Sequence, residues 1–308
     1  MADKEPTLPG LVVAAHGRHC MVESPDGSRR ICHARGKKNA VVVGDRVQWH
    51  PTGDEGVIAG VDTRRNLFYR QDEIRTKSFA ANLDQVMVLI AAEPEFSEMQ
   101  LSRALIAAEA ERISPLIALN KSDLVEPFER AWGRLLPYQH MHYGVLPLSL
   151  RLSKDVDHEH LMPHLQGKTT LVLGPSGAGK STLINLLVPQ AQALTGEISQ
   201  ALNSGKHTTT ATTWYWVDKG SETAIIDSPG FQEFGLHHID KMQLASLMPD
   251  LRQHVPACKF YNCTHLHEPG CGVIAALHDQ PGAPADRIEP SRYRIYRTLF
   301  EELSQTRY

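Results

Sequence analysis

The octapeptide Gly174-Pro175-Ser176-Gly177-Ala178-Gly179-Lys180-Ser181 constrains this chain more than any other segment. It follows the apolar run Thr169–Leu173 (TTLVL) and leads into Ser181–Leu187, which is apolar on one face. That context predicts a strand, a tight loop and a helix. In this arrangement glycine backbone N–H groups wrap phosphates without interference from Cβ atoms. The match to G-x-x-x-x-G-K-[ST] assigns Lys180 to the β- and γ-phosphates and the Ser181 hydroxyl to a Mg²⁺ ion. Thr182, the next residue, completes the phosphate-facing set. The expected ligand is a nucleoside triphosphate.

A second motif selects the base. Pro115–Leu119 reads as a buried strand, and Asn120-Lys121-Ser122-Asp123 at its end fits N-K-x-D. The Asp123 carboxylate can accept from both N1–H and the 2-amino group of guanine. Adenine lacks that amine and presents an acceptor at N1, so it would leave a carboxylate facing a lone pair. The Lys121 stem can cover the base. GTP with Mg²⁺ is therefore the expected substrate; an ATP-using P-loop enzyme is the alternative, which nucleotide competition separates.

Two further segments complete a switch. Thr223–Ile226 is a buried strand ending at Asp227-Ser228-Pro229-Gly230, a D-x-x-G element. Asp227 would hold Mg²⁺ through water, and the Gly230 N–H would sense the γ-phosphate. Between this and the glycine loop lies His207-Thr208-Thr209-Thr210, and one of the three threonines is expected to close on Mg²⁺ and the γ-phosphate. Phe231 follows Gly230 where Ras-type enzymes place a water-orienting glutamine. His207 is the candidate to take over that task. Ser149, in Pro147-Leu148-Ser149, is a weaker candidate for the remaining loop on the base side.

The order of these motifs is permuted relative to the usual one. In a Ras-like chain the base-reading motif comes after both switches; here 120–123 precedes 174–181, which precedes 208–210 and 227–230. The central region is thus a circularly permuted G domain, which keeps the site in space while moving the termini. The apolar run Val86–Ala92, a helical stretch Ser97–Arg112 and a strand near Val145–Ser149 complete the pattern. Strands alternating with helices predict a mostly parallel sheet with helices on both faces.

The flanks differ from this core. In the first seventy residues, short apolar runs (Leu11–Ala15, Val41–Val43, Val57–Val61) alternate with turn signals such as Ser24-Pro25-Asp26-Gly27. Five strands at this spacing fit an OB-type barrel, with an SH3-like barrel as the competitor. At the other end Cys258, Cys263, His265 and Cys271 offer three thiolates and one imidazole, a closed tetrahedral set for one structural Zn²⁺. His267 is a rival for the fourth position. Cys20 and Cys32 lie in β-rich segments and read as core. A helical tail is expected over Ser291–Leu303.

Together these features resemble the RsgA (YjeQ) family of circularly permuted, small-ribosomal-subunit-dependent GTPases. The resemblance runs through Val43-Gly44-Asp45-Arg46-Val47, the motifs above, Thr195-Gly196-Glu197-Ile198-Ser199 and Glu268-Pro269-Gly270-Cys271, and spans essentially the whole chain. It implies an OB domain over 1–70, a GTPase domain over 71–235 and a mostly helical zinc-binding domain over 236–308. It also implies a role in late maturation of the small ribosomal subunit, with GTP hydrolysis to GDP stimulated by that subunit. The histidine of the HTTT loop, here His207, is implicated in hydrolysis. Ser149-Leu150-Arg151 departs from the family's Ser-Ala-Lys-like loop. The alternatives are a permuted GTPase of large-subunit assembly and a nucleotide-gated RNA-binding module with incidental hydrolysis.

The net charge of −3 puts any rRNA contact on local patches rather than a global field. Residues 18–46 carry Arg18, Arg29, Arg30, Arg35, Lys37, Lys38 and Arg46 against Glu23, Asp26 and Asp45. The tail Arg292-Tyr293-Arg294-Ile295-Tyr296-Arg297 interleaves cations with aromatics, a composition suited to phosphates and exposed bases. There is no signal-peptide core and no run near the roughly 20 apolar residues that span a bilayer. A cytoplasmic protein without membrane association is expected, and nothing requires more than a monomer.

Overall fold

The computed structural model describes residues 7–16, 19–34, 41–73, 75–192, 194–195, 212–229, 234–279 and 286–305. Five short strands open the chain: β1 (Leu8–His16), β2 (His19–Glu23), β3 (Arg29–Ala34), β4 (Arg46–Thr52) and β5 (Glu55–Val61). They pair in the order β1-β2-β3-β5-β4, and β4 returns to β1. The β3–β5 pair is parallel and the others are antiparallel. This closed Greek-key path is the OB-type barrel rather than the SH3-like one. Alternation along the strands turns Val12, Val22, Val47, Trp49 and Ile58 inward, together with both Cys20 and Cys32. Those two cysteines are core thiols, as their sequence setting implied.

Beyond the barrel comes a hairpin absent from the sequence-based reading, β6 (Leu67–Gln71) and β7 (Thr76–Ala81). Barrel and hairpin are joined at Gly44-Asp45. Gly44 has φ +88°, and a Cβ there would stand 2.2 Å from the Ala81 carbonyl oxygen, so no larger residue fits. Asp45 is fully buried and takes a forked contact from Arg64 at 2.7 and 2.8 Å.

The central sheet contains β8 (Gln85–Ala91), β9 (Ser114–Asn120), β10 (Gly144–Pro147), β11 (Thr169–Leu173), β12 (Thr212–Asp218) and β13 (Thr223–Asp227). Its order is β10-β9-β8-β11-β13-β12, parallel except for β12, which runs antiparallel to β13. The Trp-rich β12 was not foreseen; it also pairs with β1, making sheet and barrel continuous. Strand β8 shows why its sequence is apolar throughout. Val86, Val88 and Ile90 face one core while Met87 and Leu89 face the other, so both faces are covered. Helices α1 (Glu98–Ala110) and α2 (Val125–His140) close the first side. Helices α3 (Lys154–Leu165) and α4 (Lys180–Leu187) close the second. Ser97 starts α1 with its hydroxyl accepting from the Gln100 N–H.

Among the described residues no strand follows β13. Short helical turns lead to the Cys/His segment, then to helices Gly272–Asp279 and Pro290–Ser304. The last helix corrects the reading of the tail as a nucleic-acid surface. Arg292 is 2% exposed and pairs with buried Asp250 at 2.9 Å, while its other arm donates to Ser102 on α1 at 2.6 Å. Removing one partner would leave an uncompensated buried charge, worth about 3–5 kcal/mol. Tyr296 is buried, and Tyr293 and Tyr296 donate to the His265 and Thr264 carbonyls, each at 2.7 Å. Arg292 and the two tyrosines therefore dock the Cys/His segment onto α1. Only Arg294 and Arg297 of the pattern face outward. No described helix is long and apolar enough to cross a membrane.

Candidate functional site

Four loops, at the C-terminal ends of β9, β10, β11 and β13, converge, the place where open α/β sheets bind ligands. Three of them, Asn120–Asp123, Ser149–Arg151 and Gly174–Gly179, are tied together by one side chain. Asn120, 4% exposed at the end of β9, donates from Nδ2 to the Ala178 carbonyl at 2.8 Å. Its Oδ1 accepts from the Leu150 N–H at 3.2 Å. The approach is close enough to dictate glycine at 179. That residue has φ +103°, and a Cβ would meet Asn120 Nδ2 at 2.3 Å. Asn120 thus ties the 174–179 loop to the 149–151 loop.

Ser149, the weaker candidate in the sequence, stands directly against Asp123. Ser149 Oγ donates to Asp123 Oδ1 at 2.8 Å, which orients the carboxylate. The Ser149 N–H in turn donates at 2.9 Å to Oδ2 of Asp157, a buried residue on α3. Burial raises the pKa of Asp157, against the pull of this hydrogen bond. Sequence reasoning missed Asp157 because it belongs to no local motif; only the packing of α3 brings it beneath Ser149. Asp157→Ala is expected to weaken GTP binding by roughly 5–10-fold, the loss of about one buried hydrogen bond. Asp157→Asn, which keeps an acceptor, is expected to lose less. A nucleotide titration decides, and unchanged GTP affinity in Asp157→Ala would remove Asp157 from the site.

At the phosphate end, Lys180 begins α4 and its Nζ donates to Asp227 Oδ1 at the end of β13. Burial pushes the Asp227 carboxyl up, and the adjacent Lys180 ammonium opposes that shift. Ser228 Oγ donates to the Val172 carbonyl at 2.9 Å, fastening the DSP turn onto β11. Lys121 donates from Nζ to the Glu93 carbonyl. A cleft of about 950 Å³ joins all of this. Gly174–Gly177, Gly179–Thr182, Asn120, Lys121, Asp123 and Pro229 line it, with two cations that the motifs did not include, Lys77 and Arg151. Such a volume lies within the range of nucleotide-sized sites. His207, Thr208, Thr209, Thr210 and Gly230 lie outside the described residues.

The Cys258, Cys263, His265 and Cys271 ligand atoms lie within 4.8 Å of one another. Cys258 Sγ is 3.9 Å from Cys271 Sγ, and His265 Nδ1 is 3.4 and 3.5 Å from these two sulfurs. His267, the rival, is exposed and is not part of the cluster. The knuckle is shaped by Glu268, whose carboxylate accepts from the Thr264 N–H at 2.9 Å and the Thr264 hydroxyl at 2.5 Å. Burial works against its charge, yet these hydrogen bonds win and hold its pKa down to about 2. The cluster can hold one metal ion.

The sheet order, the motif order and the joined cleft define a circularly permuted P-loop GTPase. A family model described as RsgA GTPase matches residues 61–237. The chain belongs to the RsgA GTPase family. It is 73% identical over 299 residues to the small ribosomal subunit biogenesis GTPase RsgA of Variovorax paradoxus (strain S110), covering 97% of this chain and 93% of that one. The protein of the same name from Paraburkholderia phytofirmans (strain DSM 17436 / LMG 22146 / PsJN) is 50% identical over 301 residues, covering 96% and 93%. Among solved structures, YloQ, a circularly permuted GTPase, superposes with a TM-score of 0.72 at 26% identity over 100% of this chain and 99% of that one. YjeQ from Thermotoga maritima gives 0.72 at 28% identity over 98% and 100%.

Proposed function

We propose that this GTPase acts in late maturation of the small ribosomal subunit, binding its rRNA and hydrolysing GTP to GDP and phosphate when stimulated by it. The observation that carries the nucleotide part is the single cleft into which Lys180, Ser181 and Asp123 all open. The relatives' shared name, at up to 73% identity, supports the subunit as partner. In this reading the 174–182 loop holds the phosphates, Lys180 supplies charge, and Asn120, Lys121 and Asp123 hold the guanine. Mg²⁺ would sit between the Ser181 hydroxyl, Asp227 and one of Thr208–Thr210. A buried carboxylate beside a lysine fits that ion, because a cation stabilises its charged form. Gly230 would report the γ-phosphate, and His207 would place the attacking water.

The metal of the knuckle is read as zinc. A tetrahedral ion with its usual Zn–S and Zn–N bonds requires about 3.8 Å between sulfurs and about 3.5 Å from sulfur to nitrogen. The observed 3.9, 3.4 and 3.5 Å fit. Four protein ligands leave no open position, so the ion would be structural. The division at 1–70, 71–235 and 236–308, a monomeric state and a cytoplasmic location belong to the same proposal. On the barrel, exposed Arg46 and half-exposed Arg30 support an rRNA contact; Arg29 is engaged by Glu23 at 2.9 Å. GTP turnover is expected to rise at least tenfold when purified small subunits are added, the scale on which partner-completed GTPase sites respond. No rise, under conditions where GTP binds, would remove the ribosomal claim and leave the GTPase.

A further inference from the structure

Lys77 stands on β7, outside the motifs and outside the central sheet, yet its side chain lines the nucleotide cleft alongside Lys180, Ser181 and Pro229. Its hairpin is clamped to the segment just beyond Asp227–Pro229. The Gln71 N–H donates to the Gly235 carbonyl at 3.1 Å and the His237 N–H to the Gln71 carbonyl at 3.0 Å. Gly235 also donates to Asp72 Oδ1 at 3.1 Å. Beneath this ladder Phe79 stacks on Phe234, with ring centres 6.0 Å apart and planes 4° from parallel. The clamp puts the hairpin on the Pro229 side of the cleft, away from the Asp123 end.

The two lysines of that end are in different electrostatic situations. Lys180 already faces the Asp227 carboxylate. Lys77 has its ammonium over the Phe79 ring at 5.6 Å, and among the described residues no carboxylate lies within ion-pair distance of it. Lys77 is exposed overall, yet desolvation of its ammonium at the cleft wall, and then the neighbouring Arg70, hold its pKa below the usual lysine value. A cation placed at the wall of a cleft without an anion of its own gains most when the cleft receives one.

We propose that Lys77 is a second phosphate-binding cation of this GTPase, supplied by the hairpin, that contacts the γ-phosphate end of bound GTP. This rests on the reading of the cleft as the GTP site. In hydrolysis the water oxygen bonds to the γ-phosphorus and the bond to the β–γ bridging oxygen breaks. The electron pair stays on GDP, and the water proton ends on the released phosphate. Lys77 keeps its own proton throughout and acts by charge alone. Because the hairpin is hydrogen-bonded to residues 235–237, a γ-phosphate held by Lys77 would also tie the hairpin to the nucleotide state.

The test compares fluorescent GDP with a non-hydrolysable GTP analogue on the full chain in Mg²⁺, using Lys77→Gln and Lys77→Arg. Lys77→Gln is expected to weaken the GTP analogue by about tenfold, one charge-assisted contact, and GDP by less than about threefold. Lys77→Arg is expected to recover most of the loss. A role confined to packing on Phe79 would weaken both nucleotides alike. Equal losses for the two nucleotides, no loss, or identical behaviour of Gln and Arg would each overturn the proposal. Binding by the wild-type chain reports on the cleft itself, so the two readings fail separately. A second measurement needs no substitution: the GTP analogue is expected to protect Lys77 from amine acylation several-fold more than GDP, read by mass spectrometry. Equal protection would contradict the assignment even if a variant misfolded.

Discussion

Asp123→Asn is expected to move the base preference of this enzyme from guanine to xanthine. The argument is one of donors and acceptors at a fixed position. Asp123 Oδ1 is held by the Ser149 hydroxyl at 2.8 Å, so the group meets the base in one orientation. In the proposed site a carboxylate there would accept from guanine N1–H and its 2-amino group. An amide presents one acceptor and one donor, and its NH₂ would then oppose the guanine amine. Xanthine carries a carbonyl at that position and accepts from the amide instead. A site built around such hydrogen bonds rejects the mismatched partner strongly, so GTP affinity should fall by roughly three orders of magnitude. XTP affinity should rise by a comparable factor. Competitive titration with GTP, XTP and ATP measures this directly. If GTP and XTP weakened in parallel, or if ATP gained, Asp123 would not be the residue that reads the base.

The second large effect concerns the metal. If the knuckle holds the proposed zinc, stripping it with a strong chelator, or substituting Cys263→Ser, is expected to unfold the Cys258–Cys271 knuckle rather than loosen it. Structural zinc contributes about 10–16 kcal/mol in isolated zinc-finger peptides, comparable to the whole stability of a typical domain. Here Cys263 and Cys271 are 7% and 4% exposed and share a core with Val273, Tyr296 and Leu299. The C-terminal helix is hydrogen-bonded to the same knuckle through Tyr293 and Tyr296. Losing the ion should therefore release that helix as well, while leaving the cleft, whose lining includes no residue of the knuckle or of that helix, able to bind GTP. Metal content by elemental analysis should fall from one zinc per chain to none, and limited proteolysis should begin to cut near the knuckle. A chain purified without stoichiometric zinc, or one whose proteolysis is unchanged by chelation, would refute the structural-zinc reading.

The parts of this protein that were legible in sequence share a physical reason. Glycine at 179 is demanded by a backbone angle and by one neighbouring side chain, and a strand such as Val86–Ala92 declares itself by being apolar on both faces. Cys258, Cys263, His265 and Cys271 are close in the chain and were found together for that reason. The tail was misread because cations between aromatics look alike whether they face solvent or the core. A signal was nevertheless there: Arg292 falls on the same helical stripe as Ile295, Tyr296 and Leu299, all of them buried. Its partner Asp250 is distant in sequence, and only packing on α1 reveals the pair.

The glycine loop, the base-reading tetrapeptide and their reversed order determined the class of enzyme and its nucleotide from the chain alone. Each of those features is encoded within a few consecutive residues, where local geometry and hydrogen-bond chemistry suffice. What the tertiary structure decided is how the site is held and what else enters it. Ser149 and Asp157 orient Asp123 because α3 packs beneath the base-side loop. Lys77 lines the cleft because its hairpin is hydrogen-bonded to Gly235 and His237. These relations join residues from different elements, and they exist only after the hydrophobic cores on the two faces of the sheet have brought those elements together.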